Sequence, residues 1–390
     1  MPKLRRLLRW RSRVWSRVWI SGNKIGLLKN GHEIYPEMLR AIAEAKESIC
    51  LETYLFRSDR IGWQFAQALA QKAKEGLSVR LIYDSLGSFT TAPELFQHLE
   101  ESGVSIFEYH PVTPWRRGWR FRSKLKRRDH RKILIIDNRY AFVGGANIGD
   151  EYIAPVEEEG EGWRDTHLKI EGPAVTRLQK IFFVTWLKGE VREKRLIHFG
   201  SEGLPRVGDL TISVVAANGI RGRNQIKKAY LRAVRRARHR ICMTNSYFVP
   251  PHWFLRALKK AVQRGVEVSI LLPKHSDVRI VDYASRALYA NLLKSGVRIF
   301  EWEGSVLHAK TAVIDGRWST IGSSNMDRFS FFYNLEVNVV VIGSPFGKEM
   351  EAMFEADLKQ AREILAPEWT RRNWFQRLLE NIFYYLLEWV

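Results

Sequence analysis

Two sets of polar residues in this chain have the types and spacing needed to act on a phosphodiester. His130, Lys132, Asp137, Gly144 and Asn147 recur as His308, Lys310, Asp315, Gly322 and Asn325, each 178 positions later. Five residue types at one set of offsets do not repeat by chance, so the chain has duplicated a catalytic unit. Two copies suggest two jaws around one reacting centre. A phosphodiester in water is protected by its charge; breaking it needs a nucleophile, an acid for the departing alkoxide and cations around the phosphoryl oxygens. Two His, two Lys and two Asn supply that set. With an ordinary pKa of ~6.5, one imidazole can be neutral and nucleophilic while the other is protonated. The inventory calls for no metal and no cofactor, and no Cys/His cluster has zinc-like spacing.

Strand parity sorts these residues. In HRKILIID, His130 and Lys132 are two apart and share a face, whereas Asp137 falls on the other. HAKTAVID repeats the arrangement with His308, Lys310 and Asp315. The acids belong to the repeated catalytic array, but parity gives them support rather than chemistry. A small-residue turn follows each strand: Gly144-Gly145-Ala146-Asn147 and Gly322-Ser323-Ser324-Asn325. Gly145 and Ser323 would let backbone approach a phosphate, and Asn147 and Asn325 would offer amide donors. A reactive imidazole needs a carboxylate to fix its tautomer. The candidates are Asp165, in RDTHLKI, and Glu336, in NLEVNVVV, both on strands with one polar face. Which His each acid serves is left open. His110, His167 and His275 have no duplicated counterpart and are read as surface or local hydrogen-bonding residues.

The elements that must position this set are duplicated too. Ile49-Cys50 matches Ile241-Cys242, and Ser102 to Glu108 is echoed by Ser295 to Glu301 at an offset of 193. The fall from 193 to 178 places 15 extra residues in the first copy, within 111 to 129. Periodicity predicts helix at 36–47, 63–74 and 93–101, alternating with strand at 48–54, 79–84 and 104–109. The second copy gives helix at 227–237, 251–264 and 281–294, with strand at 240–245, 267–272 and 297–301. This is an α/β unit with an expected largely parallel sheet covered on both faces. Expected domains are a basic amphipathic N-terminal segment (1–29), a first repeat (30–195), a linker (196–208), a second repeat (209–365) and an aromatic C-terminal helix (366–390).

HRKILIID-x6-GGAN and HAKTAVID-x6-GSSN resemble the paired HKD motifs of the phospholipase D superfamily. The likeness spans about Asn30 to Arg362. Gly144 to Tyr152, Trp163-Arg164-Asp165, Gly322 to Asp327 and Asn334-Leu335-Glu336 most resemble bacterial cardiolipin synthases of the short type, without N-terminal spanning helices. The resemblance implies two tandem α/β/α repeats related by pseudo-two-fold symmetry, with the active site at their interface. It further implies that one His attacks phosphorus to give a phosphatidyl-histidine while the other protonates the departing glycerol and then deprotonates the acceptor. His130 is taken as nucleophile and His308 as acid/base, though sequence symmetry does not break the tie.

Composition bears on the partner. In 390 residues, Lys plus Arg outnumber Asp plus Glu by 63 to 42, a net charge of +21. Such an excess points to a polyanion, either nucleic acid or an anionic membrane. Three segments favour the membrane. Residues 1–20 carry seven Lys/Arg and no acid, with Arg9, Trp10, Trp15 and Trp19 in an amphipathic pattern. The insert interleaves Trp115, Arg116, Arg117, Trp119 and Arg120, which suits a headgroup layer. The C-terminal stretch from Trp374 and Phe375 is too short and too charged to span comfortably but could lie in the interface. No run of 18 uncharged apolar residues occurs, so neither a spanning helix nor secretion is expected. Cys50 and Cys242 read as buried small hydrophobes.

The leading expectation is a peripheral enzyme on the cytoplasmic face of the cell membrane. It would join two phosphatidylglycerol molecules into cardiolipin with release of glycerol. Phosphatidylglycerol and cardiolipin are then its lipid partners, nucleic acid is not expected, and a monomer would act as an internal pseudo-dimer. The alternatives are a lipid hydrolase, a related phosphatidyltransferase and a nuclease.

Overall fold

The computed structural model describes residues 18–112, 127–153, 162–189, 204–218 and 224–389. In the first half the strands are β1 (Ile20–Lys29), β2 (Ser48–Thr53), β3 (Ser78–Asp84), β4 (Ser105–Tyr109), β5 (Ile133–Ile136), β6 (Tyr140–Gly144) and β7 (Thr166–Glu171). Helices α1 (Asn30–Ala43), α2 (Arg60–Lys74), α3 (Pro93–Glu101) and α4 (Val175–Gly189) lie between and after them. The second half has β8 (Leu210–Asn218), β9 (Arg240–Asn245), β10 (Glu267–Pro273), β11 (Arg298–Trp302), β12 (Lys310–Ile314), β13 (Trp318–Gly322), β14 (Leu335–Ile342) and β15 (Ala361–Ile364). Its helices are α5 (Gln225–Arg236), α6 (His252–Gln263), α7 (Arg279–Arg286), α8 (Tyr289–Lys294), α9 (Arg328–Phe332), α10 (Ser344–Leu358), α11 (Ala366–Thr370) and α12 (Trp374–Trp389).

All fifteen strands form one sheet in the order β15-β11-β10-β9-β12-β13-β14-β8-β1-β7-β6-β5-β2-β3-β4. The order reads alike outward from the β1/β8 junction, apart from the terminal β15, so the duplication is visible as a pseudo-two-fold about that antiparallel pair. The expected largely parallel sheet is instead mixed. Parallel pairing is confined to β2-β3-β4 and β9-β10-β11. The strand after each His-x-Lys pair returns through a tight hairpin, and hairpins enforce antiparallel neighbours.

Those hairpins explain the repeated aspartates. Asp137 and Asn138 have φ of 50° and 52°, and Asp315 and Gly316 have 53° and 57°, the positive pair that a type I′ turn requires. Asp and Asn tolerate this region better than other residues with a Cβ. Asp137 also accepts from the backbone N–H groups of Lys46, Glu47 and Ser48 at 2.8–2.9 Å. Asp315 does the same for Arg238, His239 and Arg240. Burial raises the Asp315 pKa, but these three donors outweigh it and hold the carboxyl below its ordinary value. Both acids tie together the ends of neighbouring interior strands, and neither lines the cleft that holds the histidines.

Three hydrophobic clusters fill the layers. One spans both repeats on the face covered by α4 and α10, with Leu178, Phe182, Trp186, Met350 and Phe354 among its buried members, and Cys50 and Cys242 lie within it. The others sit on the opposite face, under α1 to α3 and under α5 to α8. Across the halves, Arg164 makes a bidentate ion pair with Asp357 at 2.9 and 2.8 Å, nearly excluded from solvent. Breaking a buried pair of this kind strands a charge and costs ~3–5 kcal/mol.

Most expected elements fall within a few residues of those observed; two differ. Helix α1 begins at Asn30 and carries Pro36 inside it, because Gly31, Ile34, Tyr35, Met38, Ala41 and Ile42 bury one continuous face. The helix expected over 281–294 breaks into α7 and α8. Residues 20–29, assigned with the N-terminal basic segment, form β1 at the centre of the sheet, pairing with β7 and β8. Arg9, Trp10, Trp15, Trp115, Arg116, Arg117, Trp119 and Arg120 lie outside the described residues. No helix among the described residues is long and apolar enough to cross a membrane.

Candidate active site

His130 and Lys132 stand just before β5, and His308 and Lys310 stand at the start of β12. Backbone bridges carry each histidine across the molecule. Asp129 bridges Leu335 and Leu307 bridges Arg164, so each residue before a His pairs with the residue before the other repeat's carboxylate. The His130 N–H donates to Leu335 O at 2.9 Å, and the His308 N–H donates to Arg164 O at 2.8 Å.

The carboxylates therefore serve opposite repeats. His308 Nδ1 lies 2.6 Å from Asp165 Oδ2, while His130 Nδ1 lies 3.2 Å from the Glu336 carboxylate and 3.1 Å from Ser323 O. Both acids are fully buried. A carboxylate on Nδ1 fixes the tautomer and leaves Nε2 of each imidazole for reaction.

Burial and the neighbouring Lys310 push His308 down to about 4, despite the opposing pull of Asp165. Burial and Lys132 also lower His130, against the pull of Glu336. For Asp165, burial acts upward, but His308 and Lys310 outweigh it and hold the carboxyl below its usual range. Burial pushes Lys132 down to about 7; Glu336 opposes this and Lys310 adds to it. Lys310 falls to about 8, again chiefly through burial. Each lysine turns back to its own strand, Lys132 Nζ donating to His130 O at 2.8 Å and Lys310 Nζ to His308 O. Burial thus favours the neutral form of both imidazoles and of both lysine amines. A bound phosphodiester anion would oppose these shifts, because a nearby negative charge favours the protonated form of each group.

Two of the residues expected to bind phosphate do other work. Gly145 approaches Asp165 so closely that a Cβ would overlap the carboxylate, so its lack of a side chain makes room for the acid. The Ser323 hydroxyl donates to Glu336 Oε2 and accepts from the Val337 N–H at 3.1 Å, which orients the carboxylate that faces His130. Ser323 is wholly buried. Asn147 and Asn325 do reach the cleft. Asn147 spends one amide N–H on the Tyr152 hydroxyl at 2.7 Å, and Asn325 accepts from Ser246 Oγ at 2.8 Å.

The two histidines open into one cleft of about 510 Å³. Sequence reasoning missed several of its walls. Tyr54 packs edge-on against His130, and Trp163 and Tyr152 flank His308 with ring centroids 5.5 and 5.6 Å away. Tyr247 donates to Asp277 at 2.7 Å on the other side. Tyr54 and Tyr247 end the duplicated ICLETY and ICMTNSY segments, a signal that could have found them. His167 is buried rather than superficial: it packs against Gly144, and burial pushes it down to about 4. His275 is exposed, whereas His110 is partly buried and bonds to Arg127 O, 17 positions along the chain. No group of three or more His, Cys, Asp or Glu among the described residues could hold a metal ion.

A duplicated α/β fold with paired His-x-Lys arrays meeting in one cleft defines a phospholipase D-like phosphoryl-transfer protein. A family model described as "Cardiolipin synthase, PLD-like domain" matches residues 38–183 and 230–358, and this chain belongs to that family. It is 35% identical over 365 residues to a cardiolipin synthase of Geobacillus sp. (strain WCH70), covering 91% of this chain and 70% of the relative. It is 34% identical over 363 residues to cardiolipin synthase B of Escherichia coli (strain K12), covering 92% and 86%. Among solved structures, a phosphatidylserine synthase from Haemophilus influenzae Rd KW20 superposes with a TM-score of 0.71 at 12% identity, over 98% of this chain and 97% of that one. At that identity the likeness speaks to fold alone.

Proposed function

We propose that the chain is a membrane-surface phosphatidyltransferase that condenses two phosphatidylglycerol molecules to cardiolipin and glycerol. The observation that carries this reading is the pair of histidines in one cleft, each held at Nδ1 by a buried carboxylate of the other repeat. His130 Nε2 attacks the donor phosphorus; a P–N bond forms, the P–O bond to glycerol breaks, and His308 gives the departing oxygen its proton. The acceptor hydroxyl then yields its proton to His308 and attacks phosphorus, forming a P–O bond as the P–N bond breaks. The shorter carboxylate contact, 2.6 Å, supports His308 as the acid/base: Asp165 offsets part of the cost of a buried imidazolium, and a bound phosphodiester anion would have to offset the rest. Lys132, Lys310, Asn147 and Asn325 are the groups for the phosphoryl oxygens.

A cleft of about 510 Å³ suits headgroups rather than whole diacyl lipids, so the acyl chains would stay in the bilayer. The outer face of α12 suits that setting, since Trp374, Phe375, Leu378, Ile382, Tyr385 and Leu386 are 44–71% exposed. Trp19 is 41% exposed as well. We place the enzyme peripherally on an anionic membrane, on its cytoplasmic face. The test is incubation of the purified protein with phosphatidylglycerol vesicles, following lipids and free glycerol. Cardiolipin with one glycerol per molecule is expected. Phosphatidic acid alone would convert the reading to hydrolysis, and DNA cleavage without lipid turnover would replace it with a nuclease.

A further inference from the structure

The chemistry of the cleft is two-fold symmetric but its walls are not. Arg57 and Val249 occupy equivalent backbone positions, each donating its N–H across the matching bridge, to Ile148 O and Met326 O respectively. Glu151 and Phe329 are equivalent by the offset of 178. Arg128 and Val306 are equivalent too, their carbonyls accepting from Leu335 and Arg164. In the lining of the cleft the first repeat thus presents Arg57 and Glu151 where the second has Val249 and Phe329, with Arg328 next to Phe329; Arg128 also lines it, whereas its counterpart Val306 does not. Val278, Val281 and Leu387 add to the apolar side of the cleft.

We propose that the first-repeat wall is a binding site for the phosphodiester of the acceptor lipid, with Arg57 as its cation, while the apolar wall takes the glyceride end of the donor. This rests on the transferase reading. The departing glycerol and the incoming acceptor hydroxyl use the same side of phosphorus and the same His308. They differ in one respect: the acceptor carries its own phosphate three carbons from the attacking oxygen. A second anion must therefore be matched beyond the lysines that hold the first. Arg128 is committed deeper in, to Asp84 at 3.5 Å and to His110 O at 3.1 Å. Arg57 stands at the mouth with its side chain 39% exposed, held by Glu151 at 3.4 Å and Thr90 Oγ1 at 2.9 Å. That leaves Nη2 with no acceptor among the described residues, and its positive charge is free to face a second phosphate. His308 is beside this wall, against Tyr152 and Trp163.

The site is tested by partitioning of the phosphatidyl-enzyme among acceptors. Phosphatidylglycerol vesicles are incubated with ethanol present, and cardiolipin is measured per glycerol released. Water and ethanol carry no phosphate, so Arg57→Gln should lower that ratio about tenfold, diverting product to phosphatidic acid and phosphatidylethanol. Arg57→Lys, which keeps the charge, should recover most of it. A wild-type ratio in Arg57→Gln, or a ratio as low in Arg57→Lys as in Arg57→Gln, overturns the assignment. If the unmodified protein forms no cardiolipin, the transferase reading itself has failed.

Discussion

Crossing of the carboxylates has a measurable consequence in Asp165→Asn. The substitution keeps the volume of the side chain, but removes the charge 2.6 Å from His308 Nδ1 in a fully buried setting. A hydrogen bond to a charged group is worth ~1.5–3 kcal/mol, so proton transfer through His308 should slow roughly 10- to 150-fold. The loss should depend on the leaving group. Glycerol needs a proton to depart; p-nitrophenolate does not. With phosphatidylglycerol as donor, Asp165→Asn should show the full loss of glycerol release. With a phosphatidyl-p-nitrophenol donor, the burst of p-nitrophenolate should change by less than about threefold, since only nucleophilic attack by His130 is read. Glu336→Gln, which touches His130, should slow both. Equal losses for the two donors in Asp165→Asn would mean that Asp165 serves the nucleophile, and would refute the crossed assignment with these roles.

Three further outcomes follow from the geometry. Asp137→Ala removes the acceptor for three backbone N–H groups and should cost roughly 2–3 kcal/mol of stability, while turnover per folded molecule stays within about twofold; thermal melting and glycerol release measure the two. His167, pushed down to about 4 by burial, contributes stability that is complete above its unfolded pKa of ~6.5 and lost as pH falls towards 4. The melting temperature should fall over that window, and His167→Asn should flatten the fall; an unchanged pH profile contradicts the buried neutral imidazole. Replacing Trp374 and Phe375 together by Ser should weaken partitioning onto phosphatidylglycerol vesicles by about tenfold or more in sedimentation, because these side chains are 71% and 53% exposed. Undiminished binding would remove α12 from the membrane contact.

The sequence by itself determined the duplication, the two His-x-Lys pairs and most helices and strands; parity set Asp137 and Asp315 apart from the histidines, but only the structure puts both in the turns beyond the strands, held by backbone donors. The sequence features are legible because spacing along one chain fixes which face of a strand a side chain takes, whatever the strand packs against. Parity could not say which imidazole each carboxylate meets. Two backbone bridges between segments far apart in sequence decided that, setting Asp165 beside His308 and Glu336 beside His130. The same bridges gave Gly145 and Ser323 their work, since both are shaped by the carboxylate they touch rather than by a ligand. Pairing of β1 with β8 made one mixed sheet of two copies, and it put residues 20–29 at the centre of the molecule rather than at its basic fringe. The unequal walls of the cleft also needed the fold, because equivalence of Arg57 with Val249 is a statement about backbone position. The sequence showed where the two copies differ in length, but only the packed structure shows which of their differing residues face the shared cleft.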